Sequence, residues 1–327
     1  MRSPYFVVTE LTTRCQLKCK GCFSSPEDYP KGDMDFDFYK SIIDRIDPRT
    51  MRLNEYANGE PLLHPRVTEM VEYATAKGIV NYITTNGMIW NEDLFRFIFT
   101  HSNLCYQLVV SLDGLPGFES RSIELCRPGS NRAKILDNIA RLRMLKWSLG
   151  SKTDLIIKAC ERGQDYEEIE NIISYWLSQP GIDVVTIGRL FTSYYQEPMR
   201  IYPCQYSDDR FMLIRWNGEI AVCMYHPDVM SKGAIPIGTL DKTTPLLDFY
   251  NNEAYTSFRR RQAMGDFPEP CAHCGISYTG TGWRGVMRFR DKRLIQKDIY
   301  VRGDHYNTHH SLANKGKPDS EYGYKPL

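Results

Sequence analysis

The sequence predicts an α/β protein: a partial (β/α)6, TIM-like barrel followed by a small C-terminal hairpin-plus-helix module. Three observations lead there. Over the first two thirds of the chain, short β-branched or aromatic runs alternate with longer stretches of helical period, the pattern of a parallel sheet covered by helices. After Phe191 that alternation stops and a hairpin signal replaces it. The 327 residues, 42% hydrophobic and 25% charged, have an ordinary globular composition and the length for one large domain plus an appendage.

Strands are expected near Tyr5–Thr9, Arg52–Tyr56, Asn81–Thr85, Gln107–Leu112, Asp154–Ala159 and Asp183–Ile187, each an apolar, β-branched-rich run of strand length. Helices are expected between them, around Phe36–Ile46, Pro65–Lys77, Glu92–His101, Arg132–Trp147 and Tyr166–Ser178, several preceded by an Asp or Asn suited to capping. In such a sheet the loops after the strands' C-terminal ends collect the chemistry. Further on, Arg210–Arg215 and Glu219–Cys223 read as paired strands around Trp216-Asn217-Gly218, because Asn-Gly favours a tight hairpin turn. Helices near Leu246–Asn251 and Glu253–Met264 follow. Beyond Tyr300 no period is visible. The expected division is a barrel over 1–195, an auxiliary module over 196–285 and an extension over 286–327.

With 41 Lys plus Arg against 40 Asp plus Glu, no net field favours nucleic acid or an acidic membrane. The N-terminus meets Thr9, Glu10 and Arg14 too early for a signal peptide, and no apolar run reaches the roughly 18 residues of a membrane span. A cytoplasmic protein is expected. Its ten cysteines are then better read as metal ligands or packed thiols than as disulfides.

Cys15, Cys19 and Cys22 follow the first strand directly, so their loop lies at the barrel mouth. Three thiolates can ligate three irons of a cubane and leave the fourth iron open for chemistry; a zinc site would want a fourth protein ligand nearby, and the nearest histidine in sequence, His64, is distant. Cys204, Cys223, Cys271 and Cys274 form a second set. A hairpin brings two of these together, a helical region returns the chain, and the CxxC turn at Cys271-Ala272-His273-Cys274 supplies two more, enough for one fully ligated cluster or a zinc ribbon.

The spacing Cys15-x3-Cys19-x2-Cys22 resembles the signature of the radical S-adenosylmethionine superfamily, and three later segments fit the same family in order. Asn58-Gly59-Glu60-Pro61 after the second strand resembles its GGEP segment, Thr85-Asn86-Gly87 after the third its TNG turn, and Ser111-Leu112-Asp113-Gly114 after the fourth its SxDG segment. Two departures stand out: Asn58 replaces the first glycine of GGEP, and Gly21 occupies the place before the third cysteine that is often aromatic, with Phe23 following. The second cysteine set, with Ile237-Gly238-Thr239-Leu240 and the helix through Asp248, Phe249 and Tyr250, resembles the twitch domain, a shortened SPASM extension. The overall layout is similar to that of 2-deoxy-scyllo-inosamine dehydrogenase, a twitch-domain enzyme.

The resemblance implies S-adenosylmethionine as cofactor and two 4Fe-4S clusters, one on Cys15, Cys19 and Cys22 and an auxiliary one on the later quartet. It implies that Asn58, Gly59, Glu60, Asn86, Ser111 and Asp113 meet the cofactor, that a one-electron reductant such as flavodoxin or ferredoxin is a partner, and that a 5′-deoxyadenosyl radical abstracts hydrogen from a small-molecule substrate. Oxidation of a hydroxylated metabolite, an aminocyclitol or sugar, is the expected reaction, the auxiliary cluster accepting an electron. Epimerisation of a sugar or peptide residue is the first alternative, with Cys126 or Cys160 as candidate hydrogen-donating thiols near the barrel mouth. Peptide maturation is the second; only fourteen residues precede Cys15, so no inbuilt leader-binding domain is expected. An iron-sulfur sensor is the non-enzyme alternative. Arg162 and Arg189 could hold an anion, while Cys105, the tyrosines Tyr194, Tyr195 and Tyr202, and the tail histidines His305, His309 and His310 carry no assigned role.

Overall fold

The computed structural model describes residues 2–19, 22, 24–112, 127–161, 166–189, 204, 211–223, 235, 237–269, 271–273, 284–288 and 294–295. Strands β1 (Phe6–Thr9), β2 (Arg52–Asn54), β3 (Asn81–Thr85), β4 (Cys105–Ser111), β5 (Asp154–Glu161) and β6 (Val184–Arg189) alternate with helices α1 (Phe36–Ile43), α2 (Val67–Ala76), α3 (Glu92–Thr100), α4 (Arg132–Ser148) and α5 (Tyr166–Ser178). The six strands pair in parallel, in sequence order. This is the βα alternation expected from the apolar runs, and it forms a partial TIM-like barrel.

The two faces of the sheet bury different sets. Leu53, Ile83, Leu108, Leu155 and Val185 belong to the large core beneath the helices, whereas Val109, Ile156 and Val184 form a separate cluster. These three are aligned across β4, β5 and β6. Because side chains alternate along a strand, the second cluster lies on the face away from the helices, the concave lumen. Burial on both faces explains the nearly continuous β-branched runs.

Helix starts follow the capping residues. Asp35 accepts from the Phe38 N–H at 2.8 Å, Asn91 from Leu94 at 3.0 Å and Asn131 from Lys134 at 2.9 Å. Helix α1 ends three residues short of the expected Ile46, since Arg45 and Ile46 donate to the carbonyls three residues back rather than four, the tightened last turn common at helix ends.

Strands β7 (Phe211–Ile214) and β8 (Ile220–Ala221) form the expected hairpin, followed by α6 (Leu246–Tyr250), α7 (Glu253–Ala263) and a 3-10 turn at Cys271–His273. Its turn is built on Gly218, φ 87°, with the Gly218 N–H bonded to the Arg215 carbonyl at 2.9 Å; a left-handed residue there suits glycine. The hairpin continues the barrel sheet: β7 runs parallel to β1, from Phe6 opposite Phe211 to Thr9 opposite Ile214. At the other edge β9 (Arg284–Arg288) pairs antiparallel with β6, and β10 (Leu294–Ile295) with β9. The described sheet therefore has ten strands in the order β10-β9-β6-β5-β4-β3-β2-β1-β7-β8. Strands β9 and β10 were not expected. Arg-Gly-Val-Met-Arg has too short an apolar run to announce a strand, and it is the free edge of β6 that gives it partners. Strand β9 also spans the 285/286 boundary drawn from the sequence. Among the described residues no helix is long and apolar enough to cross a membrane.

A carboxylate is buried under the sheet. Glu55, 1% exposed just past β2, accepts from the Tyr39 hydroxyl at 2.5 Å, and burial pushes its carboxyl up to about 7, with only the Tyr39 bond acting against it. An acid raised in the folded state is protonated there while ionised in the unfolded chain, so stability falls as pH rises from about 4.5 to about 7. Glu55→Gln is expected to flatten that slope by roughly 1–3 kcal/mol between pH 5 and pH 8, measured as urea unfolding midpoints; an unchanged slope would contradict the buried acid.

Candidate active site

The triad loop leaves β1 at its C-terminal end. Cys15, Cys19 and Cys22 are all half-buried and outside any disulfide. Cys15 Sγ accepts from the Leu17 N–H at 3.4 Å and the Asn86 side-chain amide at 3.7 Å, donors that suit a thiolate ligand. Burial raises the Cys15 thiol's pKa, the Leu17 N–H opposes this, and the charges of Glu60 and Cys22 raise it further, so these groups share one pocket. The Cys22 N–H bonds the Cys19 carbonyl at 3.2 Å, closing the turn between the last two thiols. Among the described residues no three His, Cys, Asp or Glu side chains converge on a single ion; a cubane asks each thiolate for a different iron, and three thiols on one loop, with N–H donors at Cys15, fit it.

The segment after β2 sits against this loop. Gly59 has φ 80°, and a Cβ there would lie 2.3 Å from the Thr12 carbonyl oxygen, so the close approach of the two loops requires glycine. The Glu60 N–H donates to the Arg14 carbonyl at 2.8 Å. The Glu60 carboxylate, 1% exposed, accepts from the Thr85 hydroxyl at 2.8 Å, the Asn86 N–H at 2.7 Å and the Leu62 N–H at 3.2 Å. Burial raises it to about 7 against those donors and the charge of Arg127. Glu60 thus ties the end of β2 to the end of β3.

Asn86 is the hub of the third loop. Its side-chain oxygen accepts from Gln16 at 3.2 Å and from the Met88 N–H at 3.0 Å while its amide faces Cys15. Gly87, φ 77°, leaves no room for a Cβ beside Val110 and Ile135. Past β4, the Ser111 carbonyl accepts from Arg127 at 3.1 Å, and the Pro128 carbonyl from the Lys18 N–H at 2.8 Å. The structure therefore gathers Cys15, Cys19, Cys22, Gly59, Glu60 and Asn86 at one end of the sheet, with Ser111 ending β4 on the same side. Asp113 and Cys126 lie outside the described residues, as do Gly21, Phe23, Arg162, the three tyrosines and the tail histidines. Cys160 lies in β5 opposite Gly188; the side chains of Cys160 and Arg189 are outside the described set. Cys105 is buried at the head of β4, its thiol 3.6 Å from the Thr75 hydroxyl, a packing position far along the strand from the mouth.

Asn58 does something a glycine could not. Its side-chain amide donates to Glu10 at 3.1 Å and to the Tyr29 hydroxyl at 3.2 Å. Glu10, fully buried after β1, lies 3.6 Å from Arg215 Nε in an ion pair and accepts from the Trp216 N–H at 3.4 Å. Arg215 also pairs with Glu219 at 2.6 Å. Burial pushes Glu10 above the usual carboxylate range, and the Arg215 charge pulls it back. The cofactor-side loop is thereby bonded to the hairpin turn. Sequence reasoning missed Glu10, Tyr29, Arg127 and Arg215, because isolated polar residues give no periodic signal; an acid directly after a strand was the one available hint.

Of the second cysteine set, Cys204 and Cys223 are half-buried and Cys271 is buried; Cys274 lies outside the described residues. The Cys204 N–H donates to Gln262 of α7 at 3.0 Å, Cys223 stands two residues past β8, and the Cys271 N–H bonds the Pro268 carbonyl at 2.6 Å. Cysteines outside any disulfide, delivered by a hairpin and a 3-10 turn, suit cluster ligation.

Residues 202–275 match the family model of SPASM, an iron-sulfur cluster-binding domain. The tungsten-containing aldehyde ferredoxin oxidoreductase cofactor-modifying protein of Pyrococcus furiosus is 22% identical over 320 residues, covering 83% of this chain and 87% of that protein. The mycofactocin maturase MftC of Mycobacterium ulcerans is 26% identical over 138 residues, 42% of this chain and 37% of the relative. The crystal structure of Streptococcus suis SuiB bound to S-adenosylmethionine has a TM-score of 0.60 at 17% identity, covering 79% of this chain and 68% of SuiB, a likeness of fold. Residues 202–275 thus carry a SPASM-type iron-sulfur cluster-binding domain, and the relatives together with the order of the strand-end motifs place the chain with the radical S-adenosylmethionine superfamily.

Proposed function

We propose that this chain oxidises its substrate by hydrogen-atom abstraction, with a small hydroxylated metabolite, an aminocyclitol or sugar, as the substrate class. With both 4Fe-4S clusters and S-adenosylmethionine bound, the cofactors supply a 5′-deoxyadenosyl radical and an acceptor for the substrate's electron. The observation carrying this reading is the parallel pairing of β7 with β1. Cys15 follows β1 and Cys223 follows β8, the antiparallel partner of β7, so one sheet carries ligands of both proposed clusters, two strands apart and leaving it at opposite ends.

The chain's own residues hold the geometry. Leu17 and Asn86 present donors to Cys15, Glu60 locks the second and third loops, and Gly59 admits the close approach of the triad loop. Asn58, Gly59, Glu60, Asn86, Ser111 and Asp113 are the proposed cofactor contacts, and Cys15, Cys19, Cys22, Cys204, Cys223, Cys271 and Cys274 the proposed cluster ligands. A flavodoxin or ferredoxin is the proposed reductant. In the proposed reaction a carbinol carbon would give one hydrogen atom to the cofactor-derived radical, then one electron to the auxiliary cluster that Cys204, Cys223, Cys271 and Cys274 would hold and its hydroxyl proton to solvent, leaving a ketone.

A second reading, peptide maturation, is favoured by the match to the maturase MftC and by the fold shared with SuiB, which has been crystallised bound to its precursor peptide. Epimerisation would require a thiol donor, Cys126 or Cys160. Turnover in deuterated solvent separates the reactions. Oxidation is expected to consume one S-adenosylmethionine per product and leave the product free of solvent deuterium, whereas epimerisation inserts one deuterium and is lost in Cys126→Ala or Cys160→Ala. Mass spectrometry of products from candidate aminocyclitols, sugars and precursor peptides reads all three. Solvent deuterium at the reacting carbon would overturn the oxidation.

A further inference from the structure

Above the apolar floor of Val109, Ile156 and Val184, the next lumen-facing row across the same three strands is Ser111, Lys158 and Thr186. Lys158 is half-buried, and its Nζ lies 5.9 Å from the centre of the Tyr56 ring. Strands β2 and β5 are separated by β3 and β4, about 14 Å along a flat sheet at the usual strand spacing. A lysine on β5 can face a ring that follows β2 only by reaching across the concave side. Tyr56 begins the loop that bears Asn58, Gly59 and Glu60, so the ammonium is directed over the lumen towards the cofactor side, with two hydroxyls in its own row and hydrocarbon beneath.

A polar ledge with one cation over an apolar floor has the composition of a small-molecule pocket, in which few polar groups set orientation and apolar walls supply contact. An ammonium on a flexible stem is a point charge suited to a carboxylate or phosphate. We propose that Lys158 anchors an anionic group of the substrate, a carboxylate or phosphate, with Thr186 as a hydroxyl partner and Ser111 left to the cofactor, so that the substrate carbon is held between the β5 ledge and the cofactor loop. This deepens the proposed function and rests on it, with the lumen as the chamber that holds the substrate. Lys158 is then a specificity residue: within the proposed sugar and aminocyclitol class, members that carry a carboxylate or phosphate are good occupants and those without an acidic group are poor ones. The same anion chemistry is present in the carboxylate of S-adenosylmethionine, so the test must separate the two.

The oxidised holoprotein, saturated with S-adenosylmethionine, is titrated calorimetrically with inorganic phosphate, pyrophosphate and glutarate. At least one is expected to bind, more weakly at higher salt. Lys158→Gln is expected to weaken that binding about tenfold, while Lys158→Arg retains it and the affinity for S-adenosylmethionine stays within about twofold in both. On the unaltered protein the bound anion is expected to slow acylation of Lys158 several-fold relative to the exposed Lys134, read by peptide mass spectrometry; this arm needs no variant. The proposal is overturned if none of the three anions binds, if none protects Lys158, if Lys158→Gln binds them as the parent does, or if S-adenosylmethionine affinity falls by the same factor, which assigns Lys158 to the cofactor carboxylate. Release of 5′-deoxyadenosine by the parent is scored separately: its absence defeats the proposed function, and its presence with indifferent anion binding defeats this inference alone.

Discussion

Replacing Cys15, Cys19 and Cys22 together by alanine is expected to lower the iron content of the anaerobically reconstituted protein from about eight to about four atoms per chain, and to abolish release of 5′-deoxyadenosine under dithionite. The three thiols hang from one loop after β1, and the Leu17 N–H and Asn86 amide both meet Cys15. The second set begins at Cys204, attached to α7 through Gln262, a different part of the fold. One cluster is thus lost while its neighbour remains. Iron and sulfide analysis alongside chromatography of the nucleoside product provides the check. Unchanged iron, or any nucleoside released by the variant above the rate without protein, would sink the assignment of the triad.

Arg215→Met is expected to destabilise the protein by about 3–5 kcal/mol at pH 8, the usual cost of stranding one member of a buried ion pair. Glu10 has no exposure of its own. Without the guanidinium it keeps the Asn58 side-chain amide at 3.1 Å, the Asn58 backbone N–H and the Trp216 N–H at 3.4 Å, all uncharged donors. Its carboxyl, already raised by burial and restrained by Arg215, rises further. A more strongly raised acid loses stability as pH increases, so the deficit should shrink at pH 5, where Glu10 is protonated at less cost. The double variant Glu10→Gln with Arg215→Met should recover much of the loss, because the unpaired charge has gone. Urea midpoints of the parent, both single variants and the double variant test this. A loss of less than about 1 kcal/mol, the size of an exposed pair, would mean that the pair is not buried in solution.

The Glu10–Asn58 bond gives the departure from GGEP a physical meaning. Asn58 fills space that a glycine would leave open, and it links the loop bearing Glu60 to the hairpin that leads to Cys223. Glu10 and Trp216 are 206 positions apart in sequence, yet the parallel pairing of β1 with β7 makes them neighbours.

Much of the fold was legible because its signals are local. The runs at Asn81–Thr85 and Tyr166–Ser178 carry their own period and end where the structure ends them, and Asp35, Asn91 and Asn131 cap helices by chemistry confined to three or four residues. The triad spacing and the segments at Asn58, Thr85 and Ser111 were legible for the same reason, each being a short stretch at a strand end. What a residue does across the fold was not. Glu60 reads as a cofactor contact in sequence, and only the packed loops show it accepting from Thr85, Asn86 and Leu62 at once.

By itself, then, the sequence determined the βα order, the helix starts, the triad and the hairpin turn, since hydrophobic period, caps and glycine conformations act within a few residues. Tertiary structure alone decided that β7 joins β1, that β9 covers the edge of β6, that Glu10 meets Arg215 and that Lys158 reaches across to Tyr56. Those pairings depend on which sheet edges remain open and which polar groups burial forces together, and neither is fixed until the whole chain has packed.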